Sequence, residues 1–192
     1  MIKQTGSVLL ISLIMLLVLT VVGVASISGV SMTEKMAQAQ KDYDIAFEMA
    51  EAALVEGENW LDDYAFSRGD LQSSCSGSNC WNSTCTNGLC FNGTFPIGTN
   101  AVCEVIPPTT PVWEVKGNWT ARAKSYSVPV AAVEPPKYML EFLCYTPKDP
   151  SITNTTPPPG SNWSRIYRVT ALAFGPNPDT RVMLQSTYRA ND

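Results

Sequence analysis

Six cysteines are the residues of this 192-residue chain whose type and spacing most readily promise chemistry. Cys75, Cys80, Cys85 and Cys90 recur every fifth residue within "CSGSNCWNSTCTNGLC", and Cys103 and Cys144 lie further along the chain. Such a set can bind zinc or form disulfides. Zinc sites are usually built from C-x2-C pairs, often completed by histidine; this chain has no histidine and no such pair. An even number of cysteines in a domain outside the cytoplasm reads as disulfides. Six cysteines allow fifteen pairings, and spacing does not choose among them. The expectation here keeps Cys103 with Cys144, both in strand-like stretches, and closes the other four among themselves. The segment around those four has few aliphatic side chains, so cross-links must hold it where a core cannot.

The missing histidine also bears on catalysis, since neither a Ser-His-Asp nor a Cys-His device can be assembled from this chain. Glu48, Glu51, Glu56 and Glu58 could be paired as acid and base, but at helical spacing they read as a solvated face. No glycine-rich phosphate loop is present. The sequence therefore predicts no enzyme, no catalytic residue, no metal site and no cofactor.

Two stretches must position everything else. From Gln4 to Thr33 no side chain is charged, and an apolar core from Val8 to Val24 extends through small residues to Val30. More than 20 such residues in a helix rise roughly 30 Å, enough to cross a bilayer. A cleaved secretory signal is the competing reading, because Gly23-Val24-Ala25 offers a small-x-small site before Ser26. The residues beyond the apolar run oppose a signal. Tyr43, Ala46, Phe47, Ala50, Ala53, Leu54, Gly57, Trp60, Leu61 and Tyr64 fall on one helical stripe, with Asp44, Glu48, Glu51, Glu58 and Asp62 opposite. No proline occurs before Pro96, so nothing breaks the apolar run from the stripe. One helix is expected from about Ser7 to Asp63.

All 14 prolines lie from Pro96 onward and divide the remainder into short strand candidates. These are Ala101–Ile106, Val112–Trp119, Lys137–Tyr145, Arg165–Phe174 and Arg181–Arg189. In the last, Val182, Leu184, Ser186 and Tyr188 alternate with Arg181, Met183, Gln185 and Thr187, and "GPNPDT" before it is a turn. The expected fold class is α+β: a long N-terminal helix, transmembrane in its first half and amphipathic in its second, packed on an antiparallel sheet. The expected divisions are a leader at 1–6, a transmembrane helix at 7–33, an amphipathic helix at 34–67, a cysteine-rich loop at 68–100, and the sheet at 101–192 with a proline-rich loop at 146–162.

The short basic leader "MIKQTG" ahead of a long apolar helix resembles the class III leader of type IV prepilins. The stretch "EKMAQAQKDYDIAFEMAEAAL" resembles more narrowly the PilX group of minor pilins, and "YRVTALAFGPNPDTRVMLQSTYR" is similar to that group's final hairpin. The likeness covers about residues 1–64 and 164–189. It implies a pilin-like form of the expected α+β fold, and cleavage by a membrane-embedded prepilin peptidase between Gly6 and Ser7, followed by N-methylation of Ser7. Two positions depart from the pattern. Serine would begin the mature chain in place of phenylalanine or methionine, and Ile11 stands where major pilins carry a glutamate. In the family that glutamate is thought to pair with the terminal amine of the neighbour already in the fibre. A subunit with Ile11 lacks this pull toward a predecessor, as suits one that enters first.

Residues 1–63 carry three basic and nine acidic groups, a net −6, while 64–192 carry a net +2. Neither forms a basic patch suited to a phosphate backbone, so no nucleic acid is expected as partner. Five N-x-S/T sequons, at Asn82, Asn92, Asn118, Asn154 and Asn162, fit a surface-exposed domain outside the cytoplasm. The expected function is that of a minor pilin taking part in type IV pilus assembly in an initiating or tip complex. The expected partners are other minor pilins, the major pilin, the prepilin peptidase, the inner membrane and a tip adhesin. The expected location is the bacterial inner membrane with a periplasmic domain, then the pilus. A type II secretion minor pseudopilin, or an adhesion and aggregation factor displayed on the pilus, are the alternatives.

Overall fold

The computed structural model describes residues 7–71, 74–91, 110–127, 134–149, 151 and 163–190, the side chains of 26–29 and 68 excepted. Helix α1 spans Ser7–Asp63, the extent expected from the apolar run and the stripe together. After it come β1 (Leu89–Cys90), α2 (Lys116–Ala121), β2 (Lys124–Ser125), β3 (Lys137–Pro147), β4 (Trp163–Phe174) and β5 (Arg181–Ala190). The chain divides within α1 into two units, Met1–Asp42 and Tyr43–Asp192.

In the first unit the helix is apolar all round. It contains an 18-residue stretch of mean hydropathy 3.0, none of it buried, long and apolar enough to cross a membrane. Two of its hydroxyls are satisfied within the helix: Ser12 Oγ donates to the Leu9 carbonyl at 2.9 Å and Thr20 Oγ1 to that of Leu17 at 2.8 Å. Such back-bonding satisfies polar side chains where no water is available. This apolar helix fits membrane anchoring.

The second unit is a three-layer arrangement around the sheet, whose main strand order is β1-β3-β4-β5 with β2 also on β3. On one face lies the remainder of α1. Ala46, Met49 and Ala50 pack with Ala173 and Val182, and Ala53 and Leu61 join Tyr138, Leu140, Phe142, Tyr167, Val169 and Ala171. Alanine and glycine on this helix face are a matter of distance. A Cβ at Gly57 would come within 2.7 Å of Val169 Cγ1 and 3.3 Å of Leu140 Cδ2, so any side chain there would push helix and sheet apart. On the other face Met139 and Leu172 pack with Cys85, Cys90, Val112 and Trp119. Residues one apart on a strand point to opposite faces. With both faces covered, β4 is buried almost continuously and shows little alternation.

Three expectations are corrected. The sheet is mixed rather than wholly antiparallel, because β1, from within the expected cysteine-rich loop, pairs parallel with β3 through Leu89↔Leu140 and Cys90↔Glu141. Val112–Trp119 is no strand. It makes a turn and enters α2, because Asn118 Nδ2 donates to the Val112 carbonyl at 2.9 Å and Trp119 Nε1 to that of Trp113 at 2.7 Å. Residues six apart on a strand lie about 20 Å apart and could not make these bonds. Glu58 and Asp62 do more than face solvent: Ser186 Oγ donates to Glu58 at 2.6 Å, and the Tyr188 hydroxyl donates to Asp62. Strands β3, β4 and β5 extend the three expected segments by one to two residues at an end; Thr146 and Pro147 thus belong to β3, and most of the proline-rich loop lies outside the described residues, as does Ala101–Ile106.

Candidate assembly helix and cysteine-bound layer

Two places in the molecule bear on function. The first is the start of α1. Ser7 is the first described residue and is helical and exposed, and Gly6 lies outside the described residues. Ile11, one turn further on, is 57% exposed, and the large aliphatics from Val8 to Val24 are exposed with it. An apolar surface of this extent is stable in lipid or against other apolar helices.

The second place is the layer that the cysteines tie together. Cys75 bonds to Cys80 and Cys85 to Cys90, with Cα–Cα separations of 5.7 and 4.2 Å, so the four are closed among themselves as expected. Cys144 is also disulfide-bonded, and Cys103 lies outside the described residues. A β-bulge directs Cys144. The β3–β4 register slips between Phe142 and Cys144, so Phe142 and Tyr145 both join the core on the α1 side. Alternation then turns Cys144 toward the face that carries Cys85 and Cys90.

Polar anchors hold this layer to the sheet where aliphatic side chains are scarce. Trp81, beside Cys80, is 1% exposed and sits 5.3 Å from the Tyr167 ring. Its indole N–H donates to the Tyr64 hydroxyl at 3.1 Å, and that hydroxyl donates to Asp70. The Trp81 backbone N–H is bound to the Asp70 carbonyl at 2.8 Å. Burial, reinforced by the bond to Asp70, pushes the Tyr64 phenol far above its ordinary value, so it remains a proton donor. Asn82 organises the next turn, its Oδ1 accepting from Thr84 Oγ1 at 2.8 Å and from the Thr86 N–H at 3.1 Å. Gly88 closes that turn at φ 72°, with Lys124 backbone N 3.1 Å from where a Cβ would be. Arg122 then clamps the layer from α2, donating to the Thr84 carbonyl at 2.5 Å and to Asn118 Oδ1 at 3.1 Å.

Asn118 changes the reading of the sequons. It is 3% exposed, and its amide also lies 3.8 Å from Cys85 Sγ; it is a structural side chain and no acceptor for a glycan in the folded chain. Asn82 is half-buried and engaged in its turn, and Asn92, Asn154 and Asn162 lie outside the described residues. Glu48 and Glu51 are exposed, while Glu56 borders a cleft of about 400 Å³ with Asn59, Trp60, Asp63 and Asn79. Lys124 covers the Trp60 ring at 4.5 Å.

Sequence reasoning missed Trp81, Asp70, Asn118 and Arg122. For Trp81 a signal existed: a tryptophan next to a cysteine in a stretch otherwise small and polar has little reason to be there except as an anchor.

A helix apolar in its first part and packed by its second part on a sheet defines the pilin class of fold. Residues 5–55 match the PilX N-terminal family, and residues 62–190 match type IV pilus assembly protein PilX, C-terminal part. The chain belongs to the PilX family of type IV pilus assembly proteins, which are minor pilins. Neither a curated protein nor a solved structure matches it. Members of this family are structural components of pilus assembly, and the apolar helix and the two disulfide-closed loops accord with that role.

Proposed function

We propose that this minor pilin enters the inner membrane through α1, is cut between Gly6 and Ser7 and methylated on Ser7, and acts in the complex that initiates the fibre and remains at its tip. Other minor pilins and the major pilin are its neighbours there, and a tip adhesin is a further partner. Cys103 is the partner of Cys144 on the same reading, since the other four cysteines are already closed.

Ile11 carries the proposal. A glutamate at that position, buried in lipid, is stabilised only when it meets a compensating amine on the subunit ahead of it. A subunit that has no predecessor gains nothing from the carboxylate, and an isoleucine avoids its burial. The test is pilus number and subunit position in a strain whose sole copy carries Ile11→Glu, with the mature chain's mass measured alongside. The expected mass begins at methylated Ser7, and the variant brings no gain in piliation. At a helix centre an unpaired carboxylate costs about 2.5–3.5 kcal/mol on insertion scales, and less toward the end, where Ile11 lies. More pili than wild type, or the variant appearing along the shaft, would contradict entry at the tip. A mature chain beginning at Ser26 would overturn the pilin maturation altogether.

A further inference from the structure

The two margins of the sheet are finished differently. The outer edge of β3 is met by β1 and β2. β5 pairs with β4 along its whole length, and among the described residues no strand meets its other edge. Folded proteins normally blunt such an edge by making it short, or with a proline, a bulge or an inward-facing charge. β5 has none of these. It is ten residues long, against a usual five or six. It holds no proline or glycine, and its register with β4 is unbroken from Arg165↔Ala190 to Phe174↔Arg181. Its inward residues, Val182, Leu184, Ser186 and Tyr188, carry no charge.

Charge instead lies to either side of the edge, and with opposite sign. On the α1 side run Glu48, Glu51, Glu58 and Asp62, whose spacing sets them on one helix face, the last two reaching β5 itself. On the other face exposed Arg181 and Arg189 stand at the two ends of β5, with Met183 between them 42% exposed.

We propose that β5 accepts an extended segment of a partner protein as an added strand. Backbone pairing would supply the affinity and alternate side chains the specificity. The charge pattern sets the partner's chemistry: side chains that fall on the α1 side are basic, and those between them are uncharged or acidic. A second copy of this chain does not fit. Antiparallel pairing of β5 with its own copy sets Arg181 opposite Arg189 on one face and brings two acidic helices together on the other, and like charges directly opposed are destabilising. Strand addition at this edge does not depend on whether the subunit sits at the tip or along the shaft.

The test is amide hydrogen exchange on the full chain in detergent micelles, with two ten-residue peptides as probes. One alternates lysine with threonine or valine; the other has the same composition with its lysines contiguous. In the free protein alternate amides of 181–190, those facing away from β4, should exchange fast. The alternating peptide should slow them about tenfold, the block peptide should not, and Glu48→Lys with Glu51→Lys should weaken the alternating peptide's binding about tenfold. Both glutamates are exposed, so this variant keeps the fold, which exchange in β3 and β4 will report. Amides of β5 already slow in the free protein would mean that the edge is covered by the chain itself and would overturn the proposal. Equal slowing by both peptides, or none by either, would overturn it as well.

Discussion

The two faces of the sheet are covered by layers built on different physics. On the α1 side alanine, glycine, valine, leucine and aromatic rings pack at close range, and no cross-link is needed: Ala46, Ala50 and Ala53 are fully buried on the helix. On the opposite side Cys85, Cys90, Val112, Trp119, Met139 and Leu172 form a smaller cluster, and α2 and the turn at 82–88 are held there by the Cys85–Cys90 disulfide, amide and indole hydrogen bonds and the Arg122 guanidinium. The first layer is the one that a long helix can bring with it from the membrane, since only small residues let it approach the sheet so closely. The second depends on an oxidising compartment for its cross-links. The difference teaches that assembly and surface display can vary separately in such a chain, one through a helix face and the other through a loop held by local bonds.

The largest effect should come from Trp81, through which the cysteine-bound loop enters the core on the α1 side, beside Trp60, Tyr64 and Tyr167. Trp81→Ala should destabilise the second unit by about 3–5 kcal/mol, the range for removing a buried aromatic, and thermal unfolding in micelles will read it. A smaller loss is expected from replacing Cys85 and Cys90 together by serine. Closing a loop of that size is worth about 2 kcal/mol on the loop-entropy relation, so the melting temperature should fall less than for Trp81→Ala while α1 keeps its helicity by circular dichroism.

The smallest effect is confined to high pH and sharpens the α1 side. Burial, with Glu56 nearby, pushes the Tyr138 phenol up to about 12, and the bond to Asp62, with burial second, pushes Tyr188 up to about 12. Both pKa values rise on folding, so the folded chain holds protons that the unfolded chain releases. Their contribution is complete below about pH 10 and is lost as pH rises toward 12. Stability should therefore decline across that window, and Tyr138→Phe should make the decline shallower without altering stability at pH 7 by more than a small amount. An unchanged slope would show that Tyr138 has no part in it.

The α1 side was legible in the sequence because its rules are periodic. The helical stripe and the alternation from Arg181 to Tyr188 each reflect one repeated geometry; the stripe is buried from Ala46 to Leu61, while Tyr43 is exposed and Tyr64 lies just past the end of α1. The cysteine side follows no period. Val112–Trp119 reads as a strand by composition and folds as a turn and helix, because two side-chain bonds, from Asn118 and Trp119, outweigh a weak β preference. The pairing of β1 with β3 depends on residues just over 50 positions apart, Leu89 with Leu140 and Cys90 with Glu141, which no local pattern announces. Asn118 reads as a surface sequon, although its amide serves a buried network. Ile11 and the Gly6–Ser7 junction were legible only through likeness to a family.

Selective dismantling of the cysteine layer tests the contrast most directly. The full chain in micelles is reduced under native conditions, and amide exchange is measured across both layers. If the layers are independent, residues 82–88 and 116–121 lose protection on reduction, while 43–63 and the strands β4 and β5 retain theirs. Simultaneous loss of protection in α1, β4 and β5 would show that the two layers stand or fall together, and would contradict their independence.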